Sequence, residues 1–199
     1  SSAASDVYKR QVPSVLVFLS IVMQEGQTLI KDYQRDRIMA FFDPATYADT
    51  EAYQQLNSVI AIGSGQLWGK GLNNTDIASV KNGNFLPESQ TDFIFAVIGE
   101  ELGFVGSAVV ILLLILIAMR CVSIARVAKD TAGMVIAAGM GSLIGIQGFM
   151  NIAVATMMMP NTGLPLPFVS YGLSSLVSMY IGIGFVLNVG LQRKNLYNF

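Results

Sequence analysis

From Thr131 to Gln192 the chain carries no charged residue, 62 positions in a row. A run of that length has no ordinary place in a water-soluble domain, where roughly a quarter of residues are charged. Pro160, Pro165 and Pro167, with Gly163 and Gly172, interrupt it. Proline cannot continue a helix and pushes the residue before it toward extended backbone. The run therefore divides into one helix over about 132–159 and another over about 173–191. Each is long enough to cross a hydrocarbon core, which takes about 20 residues. A further span is expected upstream, over about 91–119, because Leu102 to Met119 is uncharged and Arg120 follows it. With 53% hydrophobic and 13% charged residues, the expected fold class is all-α, a polytopic integral membrane helical bundle.

Composition also removes whole classes of chemistry. The chain has no histidine and one cysteine, Cys121. Ser–His and Cys–His catalysis, an internal disulfide and the usual zinc sites are excluded within it. A net charge of −1 argues against nucleic acid as a partner. The first residues, SSAASDVYKRQ, begin without Met and have no apolar core of a signal peptide. Residues 1–11 read as a non-native peptide of sequencing-adapter origin. The expectation is that residues 12–199 form the C-terminal part of one membrane domain. Val12 to Met23 is apolar but too short to span alone, and reads as the outer end of another span over about 12–23.

Between these apolar stretches lies a polar loop over about 24–90. Within it, Tyr33 to Asp43 reads as a short amphipathic helix ended before Pro44. Ala52 to Ile62 has apolar residues at helical spacing, suited to a membrane interface. Gly63, Gly65, Gly69, Gly71 and Gly83 mark turns. Orientation follows from basic residues: Arg120, Arg126 and Lys129 fill a short link, and Arg193 and Lys194 follow the last span. Short loops rich in Lys and Arg stay cytoplasmic. The polar loop and the proline-rich segment Pro160–Gly172 then face outward. Lys31, Arg35 and Arg37 do not oppose this, because loops beyond roughly 60 residues largely escape the rule.

Four carboxylates, Glu88, Asp92, Glu100 and Glu101, cluster at the outer end of the span over 91–119. Two readings of Asp92 stand together. Ser89-Gln-Thr-Asp92 fits a capping box, and a carboxylate at the water–lipid boundary suits a general base. With a helix starting near Ser89, Glu100 falls roughly 80° from Asp92 and Glu101 roughly opposite it. Structural pairing is the expected role of both glutamates. The run GSGQLWGKG over Gly63–Gly71 lacks the P-loop spacing. It is either a turn with a solvated Lys70 or a backbone cradle for a diphosphate. The loop NTGLPLPFVSYG, with Ser170 and then Ser174 and Ser175, is either a rigid hairpin or a polar floor for a lipid-linked substrate.

Four blocks in order, YQRDRIMAFFDP, IAIGSGQLWGKG, FLPESQTDFIFAVIGEELGFVG and NTGLPLPFVSYGLSS, make the chain resemble the SEDS family (shape, elongation, division and sporulation), the RodA/FtsW group. The resemblance covers essentially Val12 to Lys194. It implies a bacterial inner-membrane protein of ten transmembrane helices, of which this chain supplies about the last four, with a cytoplasmic C-terminus. It implies a glycosyltransferase that polymerises peptidoglycan strands from lipid II beside a class B penicillin-binding protein transpeptidase. The family's essential aspartate falls on Asp92, as the base that deprotonates the acceptor hydroxyl. Glu88, Lys70, Ser170, Ser174 and Ser175 are then candidate substrate contacts, and Glu100, Glu101 and Arg37 supporting residues. No metal site is read from the residues, although a divalent cation, Mg or Mn, would suit a departing diphosphate. Two departures from the family pattern stand out: Gln90 replaces a usual histidine, and Leu173 replaces a second glycine. The YQRDR block leans toward the RodA branch. Two other activities compete with polymerisation, a lipid II transporter (flippase) and a non-catalytic scaffold that activates the transpeptidase. The resemblance also implies that the 199 residues alone are inactive, because missing helices would form part of the cavity wall.

Overall fold

The computed structural model describes residues 32–44, 46–47, 52–72 and 90–192. The expected span over 12–23, the peptide 1–11 and Glu88 lie outside them. The described residues form five α-helices and no strand. The chain divides into two units, Ser1–Ala52 and Tyr53–Phe199.

The first unit contributes α1, Asp32–Phe42. It stops before Pro44, as the sequence predicts, with Asp43 N–H still bonding the Met39 carbonyl at 2.9 Å. Arg37 lies on this helix.

The second unit holds α2 (Tyr53–Ser64), α3 (Ile94–Arg126), α4 (Thr131–Ala155) and α5 (Leu173–Leu191). The last three are long and apolar enough to cross a membrane. Their outer faces stay apolar: Leu112, Val135, Ile146, Phe185 and Leu187 are all exposed, which suits lipid rather than water. One stripe of α4 is buried at a period of 3.6: Gly133, Ala137, Gly141, Ile144, Gly148, Asn151 and Ala155. Small residues there let backbones approach closely. A Cβ on Gly141 would stand 3.0 Å from the Ala118 carbonyl oxygen of α3 and 3.1 Å from Cys121 Cβ.

Three boundaries differ from the sequence reading. Helix α3 begins at Ile94 rather than near 91, because Thr91–Phe93 is held as a turn by donors from elsewhere. It also runs through Arg120 to Arg126; arginine is a good helix former whose stem lies along apolar surface. Helix α4 ends at Ala155, not Met159. Met157 adopts φ 59°, Met158 N–H bonds the Ala153 carbonyl at 2.7 Å and Met157 N–H the Val154 carbonyl at 3.1 Å. That is a Schellman turn with methionine where glycine is usual.

Helix α2 then docks on this end. Gln55 Nε2 donates to the carbonyls of Val154 (3.1 Å) and Met159 (2.8 Å), and Ser58 Oγ to that of Ala155 (2.7 Å). The carbonyls at a helix C-terminus lack intrahelical donors, and α2 supplies them. Ala61, Phe93, Ala96 and Val154 close over the junction as a buried cluster.

Candidate functional site

Asp92 sits in the turn just ahead of α3, partly exposed. The N-cap residue is Phe93, with no side-chain cap bond, and no acidic residue lies in the first helical turn. The capping-box expectation is therefore corrected: the N-cap falls four residues beyond Ser89, so Asp92 precedes the helix instead of standing third in its first turn. The angular relation to Glu100 and Glu101 lapses with it, since Asp92 is outside the helix.

What holds the turn is a set of donors to three consecutive carbonyls. Tyr171 N–H bonds the Gln90 carbonyl at 2.9 Å. Ser170 Oγ donates to the Thr91 carbonyl at 2.6 Å. Asn151 Nδ2 donates to the Asp92 carbonyl at 2.7 Å and to that of Leu164 at 2.7 Å. The proline-rich segment is pinned as well: Gln147 Nε2 bonds the Pro165 carbonyl at 2.9 Å, and Leu166 N–H bonds Ser170 Oγ at 2.6 Å. Loop, α4 and the Asp92 turn thus form one hydrogen-bonded unit. Ser170, expected as a hydroxyl on a substrate floor, is buried and uses its hydroxyl both as donor and as acceptor inside the fold.

Further along, α3 breaks. Gly103 has φ 66° and ψ −164°, a conformation essentially restricted to glycine. In a continuous helix Phe104 and Val105 N–H would bond the carbonyls of Glu100 and Glu101. Instead the glycine-rich loop is inserted. Lys70 N–H bonds the Glu100 carbonyl at 2.9 Å and Gly71 N–H that of Glu101 at 3.0 Å. Phe104 N–H bonds the Gln66 carbonyl at 2.8 Å and Val105 N–H that of Leu67 at 3.2 Å. Backbone meets backbone so closely that a Cβ on Gly65 would stand 1.9 Å from the Gly99 oxygen, and one on Gly103 2.3 Å from Gly69 N.

Lys70 Nζ also meets Glu100 Oε1 at 2.8 Å, with the Glu100 side chain 2% exposed and that of Lys70 29%. Lys70 is thus neither a solvated lysine nor an uncommitted cation for a diphosphate. Beside the break a largely apolar groove of about 600 Å³ is lined by Ile62, Gln66, Phe95, Phe104, Ile111 and Ile152, among others.

The structure brings Asp92 and Ser170 together at the turn, and Lys70, Glu100 and the Glu101 backbone at the break. Ser174 is exposed and Ser175 partly so, in the first turn of α5. Among the described residues no group of three His, Cys, Asp or Glu comes together to hold a metal ion, so they offer a divalent cation no such ligand set. Sequence reasoning missed Asn151, Gln147, Gln55 and Ser58. Their signal was available for the first two: uncharged polar side chains inside a charge-free apolar helix, where each needs a partner.

The model of the cell cycle protein family FtsW/RodA/SpoVE matches residues 5–195. The chain is 42% identical over 168 residues to the peptidoglycan glycosyltransferase MrdB of Escherichia coli K12, covering 84% of this chain and 45% of that protein. It is 39% identical over 163 residues to the probable peptidoglycan glycosyltransferase FtsW of Geobacter metallireducens, covering 82% and 42%. The FtsW of Nitrosomonas europaea, described in the same words, is 40% identical over 182 residues, covering 90% and 46%. A solved chain, described under the coordination of polymerization and crosslinking by a peptidoglycan synthase complex, superposes with TM-score 0.66 and 27% identity, covering 94% of this chain and 50% of that one. The chain spans about half the length of the relatives it matches.

Proposed function

The chain belongs to the FtsW/RodA/SpoVE family of cell cycle proteins, and on that premise we propose that the protein containing it is a peptidoglycan glycosyltransferase with Asp92 as its general base. The observation that carries this is the clamped turn: Asp92 stands partly exposed at the head of an apolar helix, on a backbone held by three consecutive hydrogen-bonded carbonyls. Base catalysis depends on such placement before it depends on pKa. With no histidine in the chain, a carboxylate is the natural proton acceptor here.

In the reaction, Asp92 takes the proton from the 4-hydroxyl of the acceptor's N-acetylglucosamine. The freed oxygen bonds to the anomeric carbon of the donor's N-acetylmuramic acid. The bond from that carbon to the diphosphate breaks, and the electron pair leaves with undecaprenyl diphosphate. The substrate is lipid II, and the apolar groove beside the break offers the surface that a polyprenyl chain requires. The protein works in the bacterial inner membrane beside a class B transpeptidase, with the Asp92 turn on the external face and the C-terminus in the cytoplasm. The positions of Arg120, Arg126 and Lys129 support that orientation.

The test uses the full-length protein with its transpeptidase, supplied with lipid II. Asp92→Asn is expected to lower glycan polymerisation by roughly 100- to 10,000-fold, the range that positioned acid–base groups contribute. Undiminished polymer from Asp92→Asn would sink the assignment. Translocation of lipid II across vesicles, without polymer from the wild type, would make the protein a transporter instead.

A further inference from the structure

We propose that Ser170 and Asn151 are positioning residues for Asp92, acting on the reaction through the backbone rather than by touching substrate. The inference rests on the reading of Asp92 as the base. Ser170 is 2% exposed and Asn151 1%, so neither offers a surface to a sugar. Both direct their donors to the turn: Ser170 to the Thr91 carbonyl, Asn151 to the carbonyl of Asp92 itself.

The assignment of the Asn151 amide follows from its partners. Nδ2 faces two carbonyl oxygens at 2.7 Å, and the flipped amide would set oxygen against oxygen at both. Oδ1 is buried and accepts no hydrogen bond. A buried amide that leaves its acceptor unused costs stability, so its value lies in the two donations. Those donations tie the Asp92 turn to the proline-rich segment at Leu164. Ser170 does the same at Leu166, whose N–H bonds its oxygen while its proton goes to Thr91. Each side chain therefore bridges a rigid loop to a residue at or beside the base. Prolines 165 and 167 fix the loop's own backbone, which makes it a reference frame against which the turn is set.

Misplacing a reacting group by about 1 Å costs up to roughly 100-fold in rate. In the full-length protein with its transpeptidase, Ser170→Ala is expected to lower kcat by roughly 10- to 100-fold. KM for lipid II should stay within about twofold, because an interaction felt in the transition state alone leaves ground-state binding intact. Ser170→Thr keeps a hydroxyl and should restore most of the rate. Asn151→Leu, close in size but without the amide donors and without a buried charge, should behave like Ser170→Ala, and it supplies a second variant if one folds poorly. Rates are expressed per folded molecule, counted from the monodisperse peak in detergent. Wild-type kcat per folded molecule in Ser170→Ala and Asn151→Leu would overturn the proposal, leaving these residues merely structural. A raised KM at unchanged kcat would also overturn it, because that marks a direct substrate contact. If instead Asp92→Asn polymerises normally, the reading of the base has failed, and the two failures are distinguishable.

Discussion

Gly103→Ala probes the break in α3 directly. The native φ of 66° and ψ of −164° lie where non-glycine residues store about 1–3 kcal/mol of strain. The new Cβ would also stand 2.3 Å from Gly69 N and 2.7 Å from the Leu67 oxygen. Both are backbone atoms of the inserted loop, so no side-chain rotation relieves the overlap. Expelling the loop removes the four backbone bonds between loop and helix, each worth about 0.5–1.5 kcal/mol net. The helix can recover two of them by closing Phe104 onto Glu100 and Val105 onto Glu101, and alanine favours that closure. The expected net loss is therefore about 1–3 kcal/mol.

The two halves of the interlock then separate in hydrogen exchange on the full-length protein. Lys70 and Gly71 amides should lose protection, while Phe104 and Val105 stay protected by their new helical partners. Gly63→Ala is the control, because nothing lies within 4 Å of a Cβ there and the residue is in α2. It should be neutral or slightly stabilising, as Gly→Ala in a helix ordinarily is. Unchanged protection at Lys70 and Gly71, with the thermal stability of the Gly63→Ala control, would refute the claim that Gly103 makes room for the loop.

Two further predictions concern stability of the same unit. Lys70→Met should destabilise more than Glu100→Gln in thermal unfolding. Removing the cation beside a buried carboxylate costs up to about 3–5 kcal/mol, less here because Glu100 keeps other interactions and water reaches the partly exposed lysine side. In Glu100→Gln the amide oxygen would still accept from the ammonium, so equal melting of the two variants would argue against the pair. Ser58→Ala should cost about 1 kcal/mol, and Gln55→Leu about 1–3 kcal/mol through the stranded Met159 carbonyl and the loss of one of the two donors to Val154. Wild-type melting of both would remove α2 from the elements that hold the end of α4.

Long-range pairing is what separates the legible parts of the fold from the rest. The span Leu173–Leu191 was readable to the residue, because Pro167 and Gly172 stop the chain before it and its apolar run is uninterrupted. The helix before Pro44 was readable for the same local reason. The end of α4 was not, since Met157 takes a left-handed conformation that sequence normally reserves for glycine or asparagine. The break at Gly103 left a local trace, a glycine inside a helical pattern, but its cause is the distant loop that carries Gly69 and Lys70. Asp92 was legible in the sequence as a candidate, yet its surroundings were misjudged. Ser170 reads in sequence as an available hydroxyl at a boundary, and only the fold shows Thr91 and Leu166 already occupying it.

The turn and the break are the two ends of one short helical stretch, residues 94–102. At its head the turn is set by Tyr171, Ser170 and Asn151; at its foot four backbone bonds and Lys70 grip it. Nearly all these ties are neutral. In a site of low dielectric that avoids a large penalty, because desolvating an ion pair can cost more than its attraction restores. The Lys70–Glu100 pair stands where the lysine is still part-exposed and can stay hydrated. A helix held at both ends by neutral bonds transmits displacement as a rigid rod, so a change at its foot moves its head. Gly103→Ala should on this account also lower polymerisation by the full-length protein, with Asp92 chemically untouched and the loss falling on kcat rather than KM. A variant whose loop is released yet whose kcat per folded molecule is unchanged would show that the head is set by the proline-rich segment and α4 alone.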